Sequence, residues 1–536
     1  MLPMEEFSEN EKKILENYVT SITGNIFVLR NLPEVIKGAL FSRYSRSSLS
    51  LKALLLKEFI LNKELSFSEI AVSADEQNMA IKKAQDFYDR ILDGYGDDSI
   101  GELGGGHLAV ESVSMIAAKV LEDARIGGSP LEKSTRYIYF DQKVNGEYQY
   151  FKEPILMTSA YRDLYLDTCN HLFETYSKLI PPLTAVIEKT FPKEEGISKT
   201  AYTASLRAKV LDCLRGLLPA STLTNLGIYG NGRFFEKLLQ KLNSHNLAEM
   251  QEMGKKAYTE LSKVIPSFIR RADPSHKHQM AFSHFSEKMQ SELKDLTASH
   301  TMGLKEGKKE DVHLVHYDSN ALYKVAAALL YEHSHLPLAD LEKMVKELSE
   351  EELDKILDAA CKYRENRRHK SPRALEHAVF TFDITADFGI YRDLQRHRML
   401  TQERQFLSCN NGYYIPDEIV GTEMEKEYIF ALEKAKKAFD LISKEFPEEA
   451  QYVVPMAYNI RWYFHVNLRA LQWICELRSA PAGHPNYRYI AQKMAKQVIH
   501  AGGYFKRFFS FVDFEGYGLG RLGAEIRSAE KLQNRT

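Results

Sequence analysis

Long stretches of the chain carry apolar residues every three or four positions, which is the spacing of amphipathic helices. Residues 339–364 and 424–446 show it most clearly, since both are rich in Glu, Lys, Leu and Ala around an apolar stripe. Two short runs, 136–141 and 378–384, are instead dense in aromatic and β-branched residues, which favours strands. We therefore predict an α+β fold in which helices pack against a mixed sheet.

The same order of features occurs twice along the chain. In each half a Pro is followed twelve residues later by an Asn, from Pro219 to Asn231 (231 − 219) and from Pro455 to Asn467 (467 − 455). A repeat of this length indicates a duplicated domain and not a solenoid. We predict two halves of similar size, joined by a polar connection: 1–275, 276–310 (the connection) and 311–536.

Composition excludes several classes of protein. The 536 residues include 71 Lys+Arg and 73 Asp+Glu, so the formal charge is −2 and no positive field spans the chain to bind nucleic acid. No apolar run reaches the roughly 18 residues of a membrane span. The five Cys are scattered without a CxxC motif, and the seventeen His show no metal-binding spacing. We expect a cytoplasmic protein without a leader peptide, a disulfide framework, a metal, a nucleic-acid partner or a membrane partner.

The densest polar cluster is Arg396-His397-Arg398, which follows the second strand-like run. Two guanidinium groups and an imidazole at adjacent positions suit an anionic, planar ligand. The alternative is a solvated basic patch paired with Asp393 and Glu403. The cluster alone leaves both interpretations open.

Two blocks of sequence extend this cluster. Glu376-His377, then Phe-Thr-Phe, then Arg-His-Arg resembles the signature of the flavin-dependent thymidylate synthases. A second block resembles the family segment in which an Asn contacts the flavin and an Arg eleven residues later contacts dUMP, here Asn467 and Arg478 (478 − 467). His484 stands where the family carries a flavin-contacting His, displaced by two residues.

The halves have lost complementary parts of that family pattern. The C-terminal half lacks the Glu-x-Ser-x-Arg-Tyr phosphate loop, and Gln451 replaces an Arg four residues before its Pro. The N-terminal half keeps that Arg as Arg215, but reads Ala-Arg-Ile at 124–126, where the family has Arg-His-Arg. It also keeps the phosphate loop as Glu132, Ser134, Thr135 and Arg136.

The resemblance implies composite sites, in which the phosphate loop of one half meets the Arg-His-Arg segment of the other. It assigns Arg398 and Arg478 to the reacting base as catalytic residues. It implies a dUMP site formed by Glu132, Ser134, Thr135, Arg136, Arg215 and Arg478, and an FAD site formed by Arg396, His397, Arg398, Glu376, Asn467, His484, Ser99 and Glu102. Taken singly, two of these positions also suit structural roles, Arg136 at a strand edge and Arg215 paired with a carboxylate, and Asn231 of the repeated Pro–Asn spacing suits a helix cap.

The implied reaction is the reductive methylation of dUMP to dTMP, with FAD as cofactor and NADPH and methylenetetrahydrofolate as co-substrates. Because the family is typically a homotetramer, a fused pair implies a homodimer of four halves. Two alternatives stay open, since the changed segment after Arg398 leaves the product unsettled. One is flavin-dependent hydroxymethylation of another pyrimidine nucleotide; the other is a relative that binds nucleotide or flavin without turnover.

Overall fold

A computed structural model describes residues 7–44, 47, 49–61, 101–305, 307 and 310–533. The α-helices among them are α1 Glu9–Leu15, α2 Glu34–Tyr44, α3 Leu51–Leu54, α4 Met115–Glu122, α5 Pro154–Thr158, α6 Arg162–Thr190, α7 Lys199–Leu214, α8 Gly232–Asn243, α9 Ala248–Leu261, α10 Pro266–Ile269, α11 Lys277–Thr301, α12 Ala321–Tyr331, α13 Leu338–Lys346, α14 Glu350–Ala359, α15 Phe388–Leu394, α16 Met424–Ile442, α17 Leu468–Arg478, α18 Pro485–Ala501 and α19 Leu522–Gln533. The strands are β1 Gly105–Ser114, β2 Gly128–Glu132, β3 Leu223–Asn231, β4 Val312–Tyr317, β5 Val379–Asp387, β6 Thr401–Arg404 and β7 Asn459–Asn467.

The chain divides into two compact units that do not follow the order of the sequence. The first comprises the described residues of Met1–Ser112, Val120–Glu132 and Thr224–Leu304. The second comprises those of Val113–Lys119, Lys133–Leu223 and Lys305–Thr536. The second unit therefore contains a long internal segment of the predicted N-terminal half together with the C-terminal half. The predicted division into halves refers to two copies of a duplicated sequence and not to compact units, and it stays a prediction.

The sheet of the first unit has the strand order β1-β3-β2. Strand β2 pairs with β3 antiparallel, in a register that runs from Gly128 opposite Gly230 to Glu132 opposite Leu226. Strand β3 ends at Asn231, whose side chain accepts a hydrogen bond from the Phe234 amide and so begins α8. A short polar side chain at this position satisfies one of the amides that a helix start leaves without an intrahelical partner.

The sheet of the second unit has the order β4-β5-β7-β6, with antiparallel pairing throughout. Phe380, Phe382 and Ile384 of β5 are buried and alternate with less buried neighbours, as a strand with one core-facing side requires. Strand β7 likewise ends at an Asn, Asn467, which caps α17 by accepting from the Ala470 amide. The predicted strand at 378–384 is confirmed, and it continues to the end of β5.

The two sheets share one topology. In each, the last strand in sequence lies between the first and the second strand of the repeat, as β1-β3-β2 and as β5-β7-β6. Within the second unit, the two repeated Pro segments also pair with each other. Pro219 lies opposite Pro455, Ala220 N donates to Val454 O at 2.8 Å, and Met456 N donates to Leu218 O at 2.9 Å. Equivalent residues that meet each other mark a local pseudo-two-fold axis, so the predicted α+β fold with two related copies is confirmed.

Two local predictions need correction, and the structure adds a helix to a third segment. The run 136–141 is not a strand, because its first residues form a turn in which Ser134 Oγ accepts from the Arg136 amide. The amphipathic stretch 339–364 is two helices, α13 and α14, because Ser349 and Glu352 form a capping box that starts a new helix. The polar connection 276–310 contains the long helix α11.

No helix in the described part of the chain has the length and apolar character needed to cross a membrane.

Candidate functional site

Arg136 lies buried in the second unit, where Asp212 of α7 holds it in a two-point ion pair. Its Nε and Nη2 donate to Asp212 Oδ1 and Oδ2, both at 2.7 Å. Burial opposes ionisation of Asp212, but Arg136 outweighs it and lowers the pKa of the carboxyl. Ser134 is half-buried beside this pair, and Thr135 is buried. The phosphate-loop residues Ser134, Thr135 and Arg136 thus stand at a fixed, charged position.

Arg215 begins the short 3₁₀ turn that follows α7, and it is also buried. Its Nη1 donates to Asp393 Oδ2 at 3.1 Å, whereas its Nη2 is buried without a hydrogen-bond partner among the described residues. Burial would raise the pKa of Asp393, but the positive charges of Arg215, Arg136, Arg478 and Arg396 together lower it below its usual range. Asp393 is therefore an ionised carboxylate inside a group of four arginines.

Arg478 and His397 meet because of the strand order. Strand β6 follows His397 and pairs with β7, with Thr401 opposite His465, and α17 leaves the end of β7 to finish at Arg478. Arg478 Nε donates to His397 Nε2 at 2.8 Å. Burial, and then the charge of Arg478, lowers the pKa of His397 well below its usual value. The imidazole is consequently neutral, and its Nε2 accepts a hydrogen bond.

Tyr487 of α18 lies between the two arginine groups. Its hydroxyl accepts a hydrogen bond from Arg136 Nη1 at 3.2 Å. Its ring centre is 5.6 Å from the guanidinium of Arg136 and 5.3 Å from that of Arg478. Arg136, from the predicted phosphate loop, and Arg478, from the second sequence block, therefore both contact the ring of Tyr487.

His484 caps the start of α18 and has both ring nitrogens engaged. Its Nδ1 accepts from the Asn486 amide, and its Nε2 lies 3.2 Å from the backbone oxygen of Asp212. Burial and the charge of Arg215 lower the pKa of His484 to about 3. The imidazole is therefore neutral near pH 7, and its Nε2–H donates to Asp212 O. In this arrangement His484 positions the helix that bears Asp212.

Asp387, at the end of β5, is a second buried carboxyl beside the cluster. Its Oδ1 accepts from the Ile390 amide at 3.0 Å, which caps α15, and its Oδ2 accepts from Asn486 Nδ2 at 3.2 Å. Burial raises the pKa of Asp387 to about 6, although Arg215 opposes the shift. The carboxyl changes its charge in a pH range where most carboxylates remain ionised.

The rest of the Arg-His-Arg segment is more accessible. Arg396 is exposed and Arg398 is half-buried. The upstream Gln395 is buried and donates to Lys119 O at 3.0 Å, so Asp393 and not Gln395 pairs with Arg215 in the cluster. Asp393, which the alternative interpretation pairs with this segment, is bound by Arg215.

A small, partly open pocket lies beside Arg136. Its lining joins α7, the start of α18 and the segment before α19, and it brings four cationic side chains to one carboxylate. These five residues are Arg136, Lys209, Arg488, Arg521 and Asp212. Each of these cations is ion-paired, Arg136 with Asp212, Lys209 with Glu418, Arg488 with Asp513 and Arg521 with Glu525, so an anionic ligand would share them with these carboxylates.

Glu376 and Asn467 lie at one end of the same sheet, because Val379 pairs with Asn467 across β5 and β7. Glu376 Oε1 accepts from Arg469 Nη1 at 2.9 Å, and Asn467 Oδ1 is engaged as the cap of α17. None of the contacts described for these two residues reaches Arg136 or Arg215. The site therefore consists of a buried arginine cluster and a separate polar edge of the sheet.

Two further predicted site residues, Glu132 and Glu102, belong to the first unit. Glu132 is buried at the end of β2, and Glu102 accepts from Arg233 Nη1 at 2.9 Å. Ser99 lies outside the described residues. The alternative role of Asn231 as a helix cap is what the structure shows.

Three residues of the cluster were missed from the sequence: Asp212, Asp387 and Tyr487. Asp212 precedes Arg215 by three residues, about one helical turn, and this spacing would have placed both on one face of α7 and its continuation. Tyr487 similarly follows His484 by three residues at the start of a helix. Asp387 carried no signal of this kind, because an Asp that ends a strand most often caps the next helix.

Comparison with known proteins bears on the whole chain. The model of the family described as "Thymidylate synthase complementing protein" matches residues 59–267 and again residues 313–501. The two matched segments correspond to the two copies seen in the sheets. The chain belongs to the thymidylate synthase complementing protein family.

Relatives of this family fall into two groups. A UPF0159 protein of Chlamydia pneumoniae is 56% identical over 523 residues, which is 98% of each chain. A UPF0159 protein of Thermoplasma acidophilum is 32% identical over 521 residues, covering 92% of this chain and 99% of the relative. A flavin-dependent thymidylate synthase of Clostridium tetani is 29% identical over 225 residues, covering 37% of this chain and 83% of the relative. The double-length architecture is thus shared with the UPF0159 proteins, and the named enzyme aligns with a part of it.

Proposed function

We propose that the protein is a flavin-dependent thymidylate synthase that methylates dUMP reductively to dTMP. FAD would be its cofactor, and methylenetetrahydrofolate and NADPH its co-substrates. Family membership and the named Clostridium tetani relative support a thymidylate synthase-type enzyme that uses a flavin. We further propose that it works in the cytoplasm as a homodimer.

One observation carries the proposal. Arg136 and Arg215 come from the first family segment, and Arg478 and His397 come from the second. All four lie in one compact unit, where Tyr487 contacts Arg136 and Arg478, and where Asp393 binds Arg215. Each family segment alone retains only part of the pattern, so this contact supports a composite site within a single chain.

Two arginines of the cluster suit the nucleotide phosphate. Arg215 has a buried Nη2 that donates to nothing in the described structure, and an unpaired buried guanidinium N–H costs about 1–3 kcal/mol until an acceptor arrives. Arg136 lies on the wall of the pocket, paired with Asp212. A phosphate oxygen near Arg215 would satisfy this donor and be stabilised by both guanidinium groups.

Arg478 and His397 suit the pyrimidine. The neutral His397 accepts a hydrogen bond from Arg478 Nε, and this bond holds the guanidinium in one orientation. The terminal N–H groups of Arg478 would then donate to a pyrimidine carbonyl and stabilise negative charge that develops on it. Arg398, two residues after Arg396, would act on the same ring.

The residues present also fit a flavin. Arg396 is exposed and Arg398 is half-buried, so both offer cationic donors of the kind that an anionic diphosphate and the ring carbonyls of a flavin accept. Asn467 would add the amide of a side chain whose oxygen is already fixed by the helix cap. When bound, FAD would supply the hydride chemistry, and the protein would supply binding, orientation and charge.

The test is dUMP turnover by the purified protein reconstituted with FAD, with Arg398→Ala and Arg136→Ala as the variants. We expect each to lower kcat/KM by at least about a hundredfold, since each removes a charged donor at a reacting or binding group. Arg125→Ala is the matched control, because Arg125 stands at the position of the first half that corresponds to the Arg-His-Arg segment. Full activity in either test variant would contradict the composite site.

A second reaction is favoured by one residue. Asp393 is ionised and only accepts hydrogen bonds, and it lies where the family signature commonly has a Gln upstream of Arg-His-Arg. A carboxylate suits a pyrimidine that carries an amino group, so hydroxymethylation of such a nucleotide is our second candidate. Turnover of dCMP without turnover of dUMP would favour it. Tight binding of flavin or dUMP with no turnover of either nucleotide would favour the non-catalytic relative.

A further inference from the structure

Helix α11 is unusual within the first unit because most of its length is exposed. Gln279 and Ser286, near its start, are buried. All side chains from residue 287 to residue 300 are exposed. A helix of about four turns is marginally stable in water by itself, so a free helix of this length requires some other support. The helix also lies between the two segments that match the family, 59–267 and 313–501.

The exposed part carries an apolar stripe. Its members are exposed large hydrophobic side chains with heptad-like spacing, namely Phe282, Phe285, Met289, Leu293 and Leu296, which are 38%, 59%, 41%, 55% and 46% exposed. At about 100° per residue the five side chains lie within about 80° of the helix surface. They extend over about 21 Å of its axis, at 1.5 Å per residue. Soluble proteins seldom leave a continuous stripe of this kind facing water.

The spacing of the stripe is symmetric about its centre. Counted from Met289, its members lie at −7, −4, 0, +4 and +7. Two copies of α11 that run antiparallel around an axis at Met289 would therefore match every apolar residue with another. Phe282 would face Leu296 of the second copy, and Phe285 would face Leu293. A two-fold axis of this kind gives an isologous interface, which is the commonest type in homo-oligomers.

The charges beside the stripe select the same arrangement. Lys288 and Glu292 lie on one flank, on opposite sides of the centre. Neither forms an ion pair within the described part of the chain. In an antiparallel pair Lys288 approaches Glu292 of the other copy and Glu292 approaches Lys288, whereas a parallel pair turns this charged flank toward the opposite flank of the partner. Antiparallel helices also place their dipoles in a favourable orientation.

We propose that the exposed stripe of α11 is a self-association surface, on which a second copy of this chain docks its own α11 antiparallel. The interface rests on a segment outside both family matches, and it does not depend on the proposed reaction. It has a hydrophobic centre and a charged margin, as stable protein interfaces do.

Disulfide trapping in the full-length protein tests the contact and its direction. Tagged Phe285→Cys chains are mixed with untagged Leu293→Cys chains and oxidised gently. We expect the mixed, tagged–untagged disulfide to exceed both self-linked species at least about fivefold, because the antiparallel pair places these positions opposite each other. The matched control is Met280→Cys, since Met280 is 56% exposed on the same helix but about 180° from the stripe.

Self-association measured by analytical ultracentrifugation gives a second readout. Met289→Glu brings two carboxylates together at the axis, and we expect it to weaken the α11 contact at least about tenfold. Met280→Glu should leave the contact unchanged. Lys288→Glu should weaken it, and Lys288→Glu/Glu292→Lys should restore it. Self-linked Phe285→Cys in preference to the mixed species, or equal effects of Met289→Glu and Met280→Glu, would overturn the proposal.

Discussion

At the scale of single residues, the candidate site is a balance of buried charges. Arg136 pairs with Asp212 and Arg215 pairs with Asp393, and all four are shielded from water or nearly so. Removing one partner of a buried pair leaves the other charge uncompensated, whereas removing both can be close to neutral. Stability and binding can therefore be separated by mutation.

Arg136→Met should lower the free energy of unfolding by about 3–5 kcal/mol, because it leaves the Asp212 carboxylate buried without a cation. The double variant Arg136→Met/Asp212→Leu should regain most of this loss and still fail to bind dUMP. Denaturant unfolding and equilibrium dialysis with dUMP measure the two effects. Wild-type dUMP affinity in the double variant would show that Arg136 serves only the fold.

Asp387 gives a prediction about pH. Burial raises the pKa of Asp387 to about 6 from an ordinary value of 3.8, so the folded protein holds this proton more tightly than the unfolded chain. The associated stability is present below pH 3.8 and is lost as the pH rises to about 6, with a total of about 3 kcal/mol. Asp387→Asn does not titrate, so its stability relative to wild type should rise over this range and then stay constant.

The measurement is the free energy of unfolding of both proteins from pH 4 to pH 8. His484 changes the curve in the opposite direction, because burial and Arg215 lower the pKa of His484 to about 3 and its contribution is lost as the pH falls below about 6.5. Both proteins contain His484, so the difference between them isolates Asp387. A difference that does not vary with pH would contradict the assignment.

At the scale of elements, each copy uses the same device at the end of its last strand. Asn231 ends β3 and caps α8, and Asn467 ends β7 and caps α17. The resemblance assigns a flavin contact to Asn467 alone, because the first copy has lost its Arg-His-Arg segment. Asn231 thus serves as a control for Asn467, because both cap a helix and only Asn467 is proposed to contact the flavin.

Asn467→Ala and Asn231→Ala should each lower the free energy of unfolding by about 1 kcal/mol, the usual cost of removing a helix cap. Only Asn467→Ala should increase the rate of flavin release. Thermal unfolding and the dissociation of FAD, followed by its fluorescence, test the two statements. Equal flavin release from both variants would remove Asn467 from the cofactor site.

The sequence predicted the elements whose signal is local. The strand at 378–384 follows from alternating aromatic residues, and the helix at 424–446 follows from its apolar stripe. The run 136–141 has the same composition as a strand but forms a turn, because the contacts of Arg136 with Asp212 and Tyr487 are distant in sequence. Arg136 was found from the phosphate-loop motif, but its partner Asp212 lies on α7, 76 residues later in the sequence, so their contact depends on tertiary packing.

At the scale of the whole molecule, the two copies differ at corresponding positions. The second copy lacks the Arg that precedes the first copy's Pro, and its replacement Gln451 accepts from the Leu407 amide at 3.0 Å. The position that carries the charged Arg215 in the first copy thus carries a Gln in the second copy, where it accepts a hydrogen bond from a loop amide. The two copies have the same topology and differ at this position, and the double-length chain is shared with the UPF0159 relatives.

The number of dUMP molecules bound per chain tests this account most directly. Protein reconstituted with FAD is dialysed to equilibrium against labelled dUMP, alongside Arg136→Ala and the control Arg125→Ala. We expect one dUMP per chain in the wild type and in Arg125→Ala, and none in Arg136→Ala. Two molecules per chain, or one that persists in Arg136→Ala, would contradict a single composite site built from the two copies.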